Sequence, residues 1–77
     1  MATNAVAIKL PEFWESSAAT WFAQAEAQFA LREITADETK YYYVVAALGC
    51  ATASRISGFI TAPPASDKYE ALKSFSL

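Results

Sequence analysis

An all-α fold is predicted by three features of the chain: a small bundle of four to five short helices preceded by an extended N-terminal segment. Apolar residues recur at spacings of three and four in separate stretches: Trp21, Ala25 and Phe29, then Tyr41, Val44, Val45 and Leu48, then Tyr69, Leu72 and Phe75. Helix-breaking residues punctuate them, Gly49 after the second stretch and Pro63-Pro64 before the last. The third feature is composition. The chain is 55% apolar, with five Phe, four Tyr and two Trp in 77 residues. A single domain this short buries only about 60% of the surface its unfolded chain exposes. Large aromatics compensate by burying the most area per residue, in the chain's own core or in one completed by a partner.

The elements follow in order. Val6, Ile8 and Leu10 alternate with Ala7 and Lys9, a period of two that Pro11 ends, so a short extended segment is expected there. Residues 1–9 form this flexible, extended lead, and 10–77 the folded unit. Ser16 and Ser17 offer N-caps for a helix over 18–32, whose outward face carries Gln24, Gln28 and Arg32. Phe13 or Trp14 packs back onto its first turn as a hydrophobic staple.

Thr35-x-x-Glu38 matches a capping box, and Asp37 is an equal candidate for the cap of a second helix reaching Leu48. The run Tyr41-Tyr42-Tyr43-Val44-Val45 would suit a strand by propensity, but the flanking caps favour a helix, with Tyr42 and Ala46 off its core face. Gly49 is the expected left-handed stop. A third helix over 52–60 turns Ile56, Phe59 and Ile60 inward, and Ser66 or Asp67 caps a last helix from Lys68, with Tyr69, Leu72 and Phe75 inward.

Charge and composition exclude several function classes. The net charge is −2 with no Lys/Arg cluster, so direct nucleic-acid binding by this unit is not expected. The longest apolar run, 41–50, is about half of what a bilayer span requires. Lys9 interrupts the N-terminal apolar residues, and Ala2 stands where N-myristoylation needs glycine. No membrane association is therefore expected. The single Cys50 cannot form an internal disulfide, which suits the cytoplasm, and a small buried residue is its expected role.

Catalysis has little to draw on. Histidine is absent, only two glycines are present, and no metal-ligand spacing occurs. Glu12 with Glu15 and Asp37 with Glu38 read as solvated or capping acids. No enzyme is expected, and no catalytic, metal or cofactor-binding residue is assigned.

The strings LPEFW (10–14), WFAQAEAQF (21–29), ITADETKYYYVVAAL (34–48) and PP…KYEALK (63–73) together resemble the capsid N-lobe of gypsy-type LTR retrotransposon Gag proteins, a fold also found in domesticated Gag derivatives of the Arc type. The resemblance implies a retroviral-capsid-like helical lobe that makes protein–protein contacts in capsid assembly. It also implies that the last helix is truncated and that a second lobe would normally follow. The expected partners are copies of the chain itself, as a dimer or a capsid shell.

A second reading is a peptide-binding module of the Arc type, in which segment 6–10 or a partner peptide occupies a groove lined by the second and last helices. From pattern, Phe13, Trp14, Tyr42, Tyr43, Phe59 and Tyr69 are the candidate groove residues, and Val6, Ile8 and Leu10 the candidate strand-pairing segment. A third is a dimer whose chains share elements across a short last helix, or pair their N-terminal strands.

Overall fold

The computed structural model describes residues 9–77. A 3-10 turn at Glu15–Ser17 leads into α1 (Ala18–Leu31), followed by α2 (Asp37–Ala47), α3 (Cys50–Arg55), α4 (Ser57–Thr61) and α5 (Lys68–Ser76). The fold is an all-α bundle, and no strand occurs among the described residues. None of these helices is long and apolar enough to cross a membrane.

The core is aromatic. Trp21, Phe22, Ala25 and Phe29 form the buried stripe of α1, as their spacing predicts. Phe13 sets its ring edge-on to Trp21 at 5.1 Å and to Phe22 at 5.8 Å, so it is Phe13 that staples the chain to α1. Trp14 stays 37% exposed. Tyr41 and Val44 close the core from α2, Ile56 from the α3–α4 junction, and Tyr69 and Leu72 from α5. Edge-to-face geometry recurs because the positive rim of one ring meets the negative face of the next. Tyr69 meets Phe22 and Phe29 this way at 6.1 and 5.9 Å.

The lead before α1 has no regular secondary structure, and the Leu10 side chain packs partly buried against the core. Trp21 Nε1 donates to the Pro11 carbonyl at 2.9 Å, and the Phe13 N–H donates to the Ala47 carbonyl at 3.0 Å. These two bonds pin the segment across α1 and the end of α2. Val6 and Ile8 of the expected strand lie outside the described residues.

Several expectations need correction. Neither Thr35 nor Asp37 caps α2; Ala36 holds the N-cap position with no side-chain bond. Gly49 is not a left-handed stop. It is extended, with φ −74° and ψ 166°, at the N-cap of α3. Its lack of a side chain matters because a Cβ there would meet the Glu12 carboxylate. The expected single helix over 52–60 begins earlier, at Cys50, and breaks at Ile56 (φ −111°, ψ 26°). β-Branched Ile56 and nearby Gly58 are both weak helix formers. Cys50 is exposed rather than buried.

Phe75 is 58% exposed, not inward. At 3.6 residues per turn, Ser76 rather than Phe75 lies below Tyr69 and Leu72, at i+7 and i+4. Phe75 stacks on Phe59 at the rim instead, 5.5 Å between centroids.

Among the described residues, those with positive φ are Glu33 (φ 57°) and Asp67 (φ 55°). Glu33 completes a Schellman ending of α1: its N–H bonds the Ala30 carbonyl at 3.1 Å, and the Ile34 N–H reaches back to Phe29 at 2.8 Å. Ile34 then packs on the core beside Phe29. Because a Cβ is unfavourable at that φ, Glu33→Gly is expected to stabilise the fold by about 0.5–1 kcal/mol, read as a raised thermal midpoint.

Candidate interaction surface

Helix α2 carries two faces with different tasks. Tyr41 and Val44 point into the core, whereas Tyr42 is 59% exposed and Ala46 is exposed. Tyr43 lies between, half-buried, its ring 6.1 Å from Phe29. Thr39, Tyr42, Tyr43 and Ala46 line an open hollow of about 390 Å³. Tyr43 and Ala46 also border a second hollow of about 170 Å³, closed by Lys9, Leu10 and Ala47. The two hollows adjoin at Tyr43 and Ala46 and together make a mostly apolar channel along α2, with Lys9 and Leu10 of the lead on its far side. Among the described residues, Lys9 supplies its only charged side chain.

The predicted groove residues divide. Tyr42 and Tyr43 line the channel, together with Leu10 of the predicted strand-pairing segment. Phe13 (8% exposed) and Tyr69 (2%) are core. Trp14 flanks the 3-10 turn, and Phe59 belongs to α4 beside Phe75, so neither joins the channel. Thr39, Ala46 and Ala47 were not singled out from the sequence. The signal for them was the four-residue spacing Thr39–Tyr43–Ala47 and Tyr42–Ala46, which places each set on one line of the helix.

A further cleft of about 370 Å³, lined by charged as well as apolar side chains, lies where α1 and α5 meet Lys40 of α2. There Glu26 Oε2 accepts from the Tyr69 hydroxyl at 2.6 Å and from Lys73 Nζ at 2.7 Å. The Lys73 bond, then the Tyr69 bond, hold the Glu26 carboxyl below its ordinary 4.5. Burial, then Glu26, push the Tyr69 phenol far up, so it remains a protonated donor. Lys40 Nζ lies 5.6 Å from the centre of the Tyr69 ring, a cation–π contact.

The start of α5 is held from α2. Asp37 accepts from the backbone N–H groups of Lys68 (2.7 Å) and Tyr69 (3.0 Å), so it caps α5 rather than its own helix. Asp67, at the N-cap position, makes no such bond. Glu38 accepts from Lys68 Nζ at 2.6 Å. On the opposite flank, Glu15 takes hydrogen bonds from Thr52 and Arg55, which lower its carboxyl in that order.

These acids are engaged in holding helices together. Among the described residues no group of three or more His, Cys, Asp or Glu is placed to hold a metal ion. The channel offers mainly aromatic and methyl surface, with the Lys9 ammonium at one side.

Two outcomes test these latches. Asp37→Ala leaves two N–H groups of α5 without their charged acceptor and is expected to cost about 1–2 kcal/mol, measured by urea unfolding. Glu15 and Glu26 have folded-state pKa values below 4.5. Their contribution is therefore present above 4.5 and is lost as pH falls through the lowered folded values. Glu26→Gln should reduce stability at pH 7 and make its decline in acid shallower; an unchanged acid slope would contradict the coupling.

No curated protein and no solved structure matches the chain. One family model does, over residues 10–76, which span every element described above. The chain belongs to the family described as a domain of unknown function, DUF7041.

Proposed function

We propose that the chain is a non-enzymatic protein–protein interaction module, a capsid N-lobe of the gypsy-type Gag kind that contributes contacts to assembly of a shell. The observation that carries this reading is the apolar channel along α2, in which exposed Tyr42 and half-buried Tyr43 present aromatic surface beside Leu10. Buried-centre aromatics dominate association energies, and Tyr brings large area with little side-chain entropy to lose. The ordered blocks that resemble Gag lobes fall on the lead, α1, α2 and α5, the elements that build the core and the channel. Net charge −2, without a basic cluster, favours protein over nucleic acid as the partner. Copies of the chain are the first partner proposed, and the cytoplasm the compartment.

The channel also supports a second reading, capture of a short extended peptide in the Arc manner. The lead at Lys9 and Leu10 forms one wall, so a peptide would lie between it and α2.

Size-exclusion chromatography with light scattering, across concentration and salt, separates the two. Assembly predicts multimers that grow with concentration and are weakened about tenfold in Tyr42→Ala. A strictly monomeric chain, also when fused to a Gag-type second lobe, would sink the assembly reading. For the second reading, deleting residues 1–10 should alter the affinity for extended apolar peptides, followed by tryptophan fluorescence; unaltered affinity would count against it.

A further inference from the structure

We propose that α5 exchanges between two copies of the chain, giving a dimer in which each copy's α5 occupies the other's seat. The seat is assembled from residues far upstream of the helix it receives. Phe22, Glu26 and Phe29 come from α1, and Asp37 and Glu38 from the first turn of α2. All the hydrogen bonds and ion pairs that α5 makes to other elements, among the described residues, run to α1 or α2. Its tie to α4, the helix just before it in the chain, is the stack of Phe75 on Phe59, and Phe75 is mostly exposed.

The connection between α4 and α5 favours opening. Pro63 and Pro64 have no N–H to give, and no backbone N–H from Pro63 to Asp67 bonds another backbone group among the described residues. To turn back into the seat, Asp67 takes φ 55° and ψ 40°, a left-handed conformation unfavourable for an L-residue. An opened, extended connection relieves that turn while the same seat contacts re-form between copies, which is the condition for exchange of an element.

The occupant is defined by the seat's chemistry. Asp37 fits two free N–H groups at a helix start, Glu38 fits Lys68, and Glu26 fits the Tyr69 hydroxyl and Lys73 one turn on. A second copy of α5 meets each of these at the right spacing. The inference does not rest on the α2 channel, so Tyr42→Ala, which tests the proposed function, should leave the exchange intact.

The ion pairs themselves supply the test, with no substitution. Lys73 and Glu26 lie 2.7 Å apart, and Lys68 and Glu38 2.6 Å, close enough for a carbodiimide to join each pair as an amide. Unlabelled and ¹⁵N-labelled copies of the 77-residue chain are mixed, partly unfolded, refolded at high concentration and fractionated by size before coupling. Exchange predicts a dimer fraction in which about half of the Lys73–Glu26 links join a light to a heavy copy, as random pairing of copies requires. The monomer fraction should hold links within one copy only. Absence of a dimer, or a dimer whose Lys73–Glu26 links all stay within one copy, would overturn the proposal. Asp67→Gly removes the left-handed penalty from the closed form and should lower the dimer fraction about threefold. An unchanged fraction would overturn the role given to the strained turn.

Discussion

Tyr69 can fill the space beside Phe22 and Phe29 only where the first turn of α5 is held, and that position depends on the Asp37 carboxylate. Two backbone N–H groups of α5 converge on it. A short helix has little stability of its own, since its first turn fixes many torsions for few bonds. Nine residues, Lys68–Ser76, need an external cap and an apolar seat to persist. With the seat filled, Leu72 is fully buried and the Tyr69 hydroxyl reaches Glu26. The core of the domain and the order of its last helix are thus one event.

The same economy governs the other end of the chain. A segment without helix or strand partners must still satisfy its backbone. Here Pro11 offers its carbonyl to the Trp21 indole and Phe13 its N–H to Ala47, so the lead becomes a wall laid beside α2. That wall turns an ordinary helix face into a channel. Its aromatic and methyl lining suits a partner that brings apolar side chains, whereas the cleft under Tyr69 is already neutralised by its own lysines and acids.

The Gag-like order of the blocks carries the proposed assembly role, since the family to which the chain belongs has no known function. In the two proposals, association would draw on two surfaces with different physics. The channel offers unpartnered apolar area, while α5 and its seat offer contacts that already exist within one copy and would re-form between two at the entropic cost of association. The first depends on Tyr42, the second on the upstream origin of the seat.

Helix identity and the core stripe were legible in the sequence because both follow from local periodicity. Trp21, Phe22, Ala25, Phe29, Tyr41, Val44 and Leu72 all lie where their spacing puts them. Half of the channel was legible too, since Tyr42 falls off the core face of α2. Caps and breaks were not, because they depend on what approaches from elsewhere. Asp37 caps α5, 31 residues on, instead of its own helix. Gly49 makes room for Glu12, and the left-handed turns fall to Glu33 and Asp67, which no composition rule marks out. Tyr69 lies inward as its spacing with Leu72 puts it, whereas Phe13, outside any helical period, went to the core because the bundle had volume to fill beside Trp21 and Phe22. By itself the sequence determined which segments are helical and which face of each is apolar. Only tertiary packing decided which apolar residues stay outside, because a core of finite volume admits some aromatics and leaves the rest at the surface.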